Sequence, residues 1–243
     1  MHQTGNTLHG TGEGAKHPRR LQVAILAGGA STRMKTDKAF LIHRGRPFIS
    51  WIVEQASSIS EDVLVIIGNK DRREFQSVLD SKARIVNDVY TVGTPLGGMF
   101  TAFGIFHAGY VAVLACDTPL VKAGVIEFLM SEAISHSAAV PVWDSGDVEP
   151  LCSVYHADEA WKAAEKAIES GRVSCRDMIS LLRDVNYVPV SRLRAFDPLL
   201  YSLTNVNTPF DLRKLERLPA QPYLGSVPDE LLTKGKLSMS KHA

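Results

Sequence analysis

The sequence predicts an α/β fold: a single Rossmann-like, three-layer α/β/α domain with a mostly parallel sheet. Three observations predict it. The apolar runs "LQVAIL" (21–26), "DVLVII" (62–67) and "YVAVLAC" (110–116) are of strand length and lack polar alternation. Such runs mark strands covered on both faces. Helix-length segments separate them, as parallel crossovers require. Gly-rich or acidic residues follow the strand ends, where open α/β sheets bind ligands.

Length and composition agree with this class. The 243 residues are 45% hydrophobic, enough for one sizeable domain with appended ends. With 27 basic and 26 acidic residues the formal net charge is +1. No global field therefore favours nucleic acid or an anionic membrane, and anion binding must be local. No apolar run approaches the roughly 20 residues of a membrane helix. Residues 1–20 are polar, lack the apolar core of a secretory signal, and read as a disordered or leader-like extension. His2, His9 and His17 in that stretch follow no metal-ligand spacing. Cys116, Cys152 and Cys175 are odd in number and widely spaced, so neither a disulfide framework nor a zinc site follows. A reducing, cytoplasmic setting fits. The domain is expected over 21–218, with a polar tail over 219–243.

The elements follow in order. After the strand 21–26, Phe48, Ile49, Ile52, Val53 and Ala56 recur at helical spacing, with Pro47 suited to a first turn. A strand at 62–67, a charged helix near 70–80 and a short strand at 83–88 come next. "VGTPLGG" (92–98) leads into a helix near 98–107, and the strand 110–116 ends at Asp117. The second half is less regular. Strands are expected at 138–142, within 149–156, at 185–190 and in "LLYSLTNV" (199–206). Helices are expected at 158–169, 174–183 and 207–218, the last with Thr208 as N-cap and Pro209 in first position. The Gly-rich loop, Asp88 and Asp117 all follow strands, so topology puts them on one edge of the sheet.

The loop after the first strand, "LAGGASTRMKTDK" (26–38), fits neither the dinucleotide fingerprint G-x-G-x-x-G nor the Walker pattern. Its physical content still suits phosphate. Gly28 and Gly29 let backbone approach a ligand, free amides make an anion-binding concavity, and Arg33 and Lys38 add cations.

Leu26–Gly29, Arg33-Met34 and Asp37-Lys38 resemble the opening motif of the molybdenum cofactor guanylyltransferases, within the wider nucleotidyltransferase superfamily. The likeness continues in order through "GTPLGG" (93–98), "ACDTPLV" (115–121) and "NVNTPFDL" (205–212). The resemblance implies transfer of GMP from GTP to the phosphate of molybdopterin or Mo-molybdopterin, with Mg²⁺ (Mn²⁺ as a substitute) and release of pyrophosphate. It further implies that Leu26, Ala27, Gly28, Gly29, Asn69, Asp88 and Gly98 line the nucleotide. Arg33 and Lys38 would contact the triphosphate and Asp117 would hold the metal, these three being the catalytic set. Asn205, Asn207 and Arg172 would face the acceptor, and Glu149-Pro150 would lead into its strand. Handover of product to molybdoenzymes or cofactor carriers is implied as well; a nucleic-acid or membrane partner is not. A sugar 1-phosphate acceptor, or a non-catalytic nucleotide-binding domain, is the alternative. For Asp117, Asp88 and Asn207 the structural alternative is a helix cap or a turn. The sequence departs from the family pattern at Lys35, Thr94 and Phe210.

Overall fold

The computed structural model describes residues 21–29, 36–79, 81–90 and 93–218. In chain order the elements are β1 (Leu21–Leu26), a hairpin of β2 (Ile42–His43) and β3 (Arg46–Pro47), α1 (Phe48–Ser57), β4 (Val63–Ile66), α2 (Arg72–Leu79) and β5 (Arg84–Val86). Then come α3 (Pro95–Phe106), β6 (Tyr110–Ala115), α4 (Ala123–Ala133), β7 (Ala138–Val142), β8 (Cys152–His156) and α5 (Ala157–Glu169). The chain continues through α6 (Cys175–Ile179), β9 (Val185–Pro189), α7 (Val190–Leu193) and α8 (Pro209–Glu216). No helix among the described residues is long and apolar enough to cross a membrane.

Seven strands form one sheet in the order β5-β4-β1-β6-β8-β7-β9. β1 lies inside it, parallel to β4 and β6, with Leu26 opposite both Ile66 and Ala115. Only β8 runs against its neighbours, pairing antiparallel with β6 and β7. Its reversal brings the start of β8, where Cys152 faces Leu114, to the edge where the parallel strands end.

The sheet is covered on both faces because its strands are apolar on both. Alternate side chains point to opposite faces. Val23 and Ile25 pack with α1, α2 and α4, while Ala24 and Leu26 pack with α3, α5 and α6. The buried stripe of α5 is entirely alanine (Ala157, Ala160, Ala163, Ala164, Ala167), which lets that helix lie close over α3. The predicted three-layer architecture is thus the observed one.

Three local expectations change, and one hairpin is added. Residues 199–206 form no strand: Tyr201–Leu203 is a 3₁₀ turn. The buried carboxylate of Asp197 organises this segment, its Oδ2 accepting from Ser202 N (2.7 Å) and Ser202 Oγ (2.8 Å) in place of a strand partner. The helix expected over 174–183 stops at Ile179, where Leu181 and Leu182 close tighter turns onto Met178 and Ile179. α3 starts at Pro95 rather than near 98. The β2–β3 hairpin was unforeseen; Arg44 and Gly45 both take positive φ, 50° and 76°, and fold it back. The residues flanking it, Leu41 and Phe48, cluster with Val206 and with Leu215 of α8.

Candidate active site

Backbone bonds carry the ladder beyond the strand ends and align the loops that follow. Ala27 N donates to Ile66 O (2.7 Å), Cys116 N to Leu26 O (3.1 Å), and Asp88 N to Gly68 O (3.3 Å). The first residues after β1, β4, β5 and β6 therefore emerge side by side, as topology required. The two glycines of the first loop differ in role. A Cβ on Gly28 would lie 2.8 Å from Gly68 N, so Gly28 is needed for two loops to touch. A Cβ on Gly29 would meet nothing within 4 Å among the described residues.

Lys38 opens a 3₁₀ turn, Lys38–Phe40, capped by Asp37. Its ammonium lies 2.8 Å from Asp117 Oδ2 and 2.6 Å from Asn207 Oδ1. Three segments far apart in sequence meet at that one nitrogen. Asp117 is held from behind, its carbonyl accepting from Val206 N at 2.9 Å. The Lys38 and Asp117 side chains are only 20% and 17% exposed, so their attraction is weakly screened. Asp117 does not cap α4, whose N-cap is Lys122 and whose Ala123 N bonds Gln55 Oε1 (3.1 Å). Asn207 does not cap α8, because Thr208 and Asp211 form the capping box there.

A second lysine, Lys70, was passed over in the sequence. Its Nζ lies 2.6 Å from Asp37 Oδ2 and 2.5 Å from Ala27 O. The only local signal is its place three residues past Ile67, just after the Gly68 turn. Burial pushes the Cys116 thiol up to about 12, and Asp117, Lys70, Asp37 and Lys38 also act on it. The thiol itself is no nucleophile at neutral pH.

The other sequence-predicted residues divide. Gly98 sits in the first turn of α3, where a Cβ would lie 3.1 Å from Leu26 Cδ2, so it packs against the end of β1. Asp88 Oδ1 accepts from Tyr90 N (3.1 Å) and from Thr101 Oγ1, which makes one of its oxygens a turn cap. Asn69 and Asn205 are exposed on the loops after β4 and before α8. Arg172 is exposed, in the turn after α5 that Thr94 ties to α3 through Val173 O (2.8 Å). Glu149 accepts from Trp143 Nε1 at 2.6 Å, bracing the loop between β7 and β8. Of the departures, Phe210 lies under the Lys214 ammonium at 4.5 Å and Thr94 is the N-cap of α3. Arg33 and Lys35 lie outside the described residues.

A mostly parallel sheet whose carboxyl edge gathers two lysines, two aspartates and the close-packed Gly28 has the architecture of an α/β nucleotide-binding fold. A sequence profile described as the MobA-like NTP transferase domain matches residues 23–185. The chain belongs to that family. It is 35% identical over 199 residues to a protein of Methanothermobacter thermautotrophicus named probable molybdenum cofactor guanylyltransferase, covering 79% of this chain and 96% of that one. It is 32% identical over 195 residues to the molybdenum cofactor guanylyltransferase of Desulfosudis oleivorans, covering 79% and 92%. Among solved structures it resembles molybdopterin-guanine dinucleotide biosynthesis protein A from Archaeoglobus fulgidus, with 30% identity, a TM-score of 0.68, and 80% and 96% of the two chains covered. A cytidylyl-type synthase of Anaerococcus prevotii, 4-diphosphocytidyl-2C-methyl-D-erythritolsynthase, shares the fold at a TM-score of 0.62 with 12% identity, over 82% of this chain and 95% of that one.

Proposed function

We propose that the chain transfers GMP from GTP to the phosphate of molybdopterin, giving the guanine dinucleotide form of the cofactor and pyrophosphate. The observation that carries this reading is the Lys38 ammonium bonded to both Asp117 and Asn207. It joins the opening, middle and closing motifs in one place, as a site for two anionic substrates needs. An oxygen of the acceptor phosphate bonds to the α-phosphorus of GTP. The bond from that phosphorus to the oxygen bridging the β-phosphate breaks, and pyrophosphate leaves with the electron pair. The acceptor phosphate is already ionised at neutral pH, so no general base is assigned. The main barrier is repulsion between anions, met by fixed positive charge.

Mg²⁺ fits the donor set. Among the described residues no group of three or more His, Cys, Asp or Glu side chains is placed to hold a metal. Mg²⁺ is commonly held by one or two carboxylates, with water and substrate phosphates completing its shell. Asp117 would hold it, and the ion would supply charge against the phosphate oxygens. Lys38 brings a second cation beside that carboxylate, and Arg33 is assigned to the triphosphate by its place in the opening motif. Leu26 to Gly29, Asn69, Asp88 and Gly98 border the nucleotide in this reading. Asn205, Asn207 and Arg172 face the acceptor, and the product passes on to molybdoenzymes or carriers.

The test is pyrophosphate release with Mg²⁺, each nucleoside triphosphate, and either molybdopterin or a panel of sugar phosphates. Release from GTP with molybdopterin alone is expected. Release only with a sugar 1-phosphate would move the acceptor, and tight nucleotide binding without release would leave a non-catalytic domain.

A further inference from the structure

Two lysine–aspartate pairs stand at the carboxyl edge of the sheet, and the reaction above uses only one. In the other, the Lys70 ammonium bonds Ala27 O and Asp37 Oδ2 together. Ala27 and Asp37 flank the Gly-rich stretch 28–36. One nitrogen thus joins the point where the chain leaves β1 to the point where it enters the Lys38 turn. Lys70 is itself anchored, its backbone N donating to Ile67 O (3.2 Å) and its backbone O accepting from Asn87 Nδ2 (3.2 Å). The Lys70 and Asp37 side chains are each 21% exposed, so solvent screens the pair less than a surface pair. The second oxygen of Asp37 accepts from Ala39 N (3.1 Å) and starts the turn whose first side chain is Lys38. An ammonium suits this place, because its three donors can serve a carbonyl and a carboxylate in different directions.

We propose that Lys70 is a positioning residue of the nucleotide site: it clamps Ala27 to Asp37 and, through Asp37, holds Lys38 in register with Asp117. This inference rests on reading that edge as the nucleotide site. Along it the charges alternate, Lys70, Asp37, Lys38, Asp117, so each anion has a cation beside it. Removing Lys70 leaves a carbonyl and a partly buried carboxylate without their donor. The Lys38 turn then loses a restraint on its cap, Asp37, although Lys38 itself is unaltered.

The test combines Lys70→Met, which keeps the aliphatic stem, with Asp37→Asn and the double variant. Amide hydrogen exchange is read at Ala39, Phe40 and Leu41, which donate to Asp37 Oδ1, Asp37 O and Lys38 O. GTP affinity is read by titration. Lys70→Met should speed exchange at those amides about tenfold and weaken GTP about tenfold, the range of a hydrogen bond to a charged group. Amides within β4 and β6 should stay protected, and the double variant should be no worse than the poorer single. Unchanged exchange at Ala39 to Leu41, equal loosening of β4 and β6, or additive losses would each overturn the clamp. If the wild-type chain binds no GTP, the proposed function falls, and the exchange data alone decide the clamp.

Discussion

Asp117 has the carboxylate that the proposed chemistry calls for, and it caps no helix among the described residues. Asp117→Asn should therefore lower kcat by roughly 100- to 1,000-fold or more, the scale of losing one preorganised electrostatic group. The thermal midpoint should move by only a few degrees, since Lys38 keeps its bond to Asn207. Near-normal pyrophosphate release by that variant would remove Asp117 from the mechanism. The meeting of Lys38 with Asp117 was legible from the resembled motifs and, for Asp117, from the strand end before it. Lys70 was not, because its role lies in two distant acceptors, one of them a backbone carbonyl that no side-chain pattern announces. His43 is a different case. It lies on β2, 1% exposed, with neither ring nitrogen bonded. Burial, then Arg44, hold its pKa below the usual value near 6.5, against a smaller pull from Glu216. The unfolded chain then binds the proton more readily than the fold does. The stability it contributes is whole above about pH 6.5 and is lost as pH falls through the lower folded-state value. Urea midpoints between pH 7 and 5 should fall further for the wild type than for His43→Leu; parallel slopes would show that the imbalance is absent.

Elements were readable where one physical cause sufficed. Continuous apolar runs gave β1, β4 and β6, since strands covered on both faces have no polar side. Thr208 followed by Pro209 marked the start of α8 to the residue. Residues 199–206 misled because Leu200, Leu203 and Val206 are buried by tertiary contacts rather than by a sheet, while Leu199 is exposed. Leu200 at positive φ (55°) and the Asp197–Ser202 bonds decide that segment, and neither shows in a two-residue period. Loops were legible as glycine, not as which glycine. Gly28→Ala must push the Gly68 backbone away from a contact that would be 2.8 Å, whereas Gly29→Ala meets no atom of the described residues within 4 Å. Urea unfolding should show a loss of about 1–3 kcal/mol for Gly28→Ala, typical of overpacking, and well under 1 kcal/mol for Gly29→Ala. Equal losses would mean that the two loops do not rest on each other.

At the scale of the whole molecule, the site exists only because the chain closes on itself. Lys38 meets Asp117 across 79 residues and Asn207 across 169. The sequence displayed those motifs in order but carried no term for their distance in space. Sheet order supplies it: β1 and β6 are adjacent, and the segment before α8 returns over the end of β6 through Val206 N and Asp117 O. Arg44 adds a second tie, its guanidinium donating to Leu218 O at 3.0 Å. In the proposed reading the closing segment then serves the nucleotide side as well as bordering the acceptor. If so, Lys38 and Asn207 act as one unit. Lys38→Met removes the ammonium, after which Asn207→Ala has little left to remove. The two singles should each lower kcat/KM, and the double should fall short of their product by about 1 kcal/mol or more, the coupling of residues in direct contact. Were Asn207 to serve only the pterin, its loss would multiply with that of Lys38 and the cycle would close near zero.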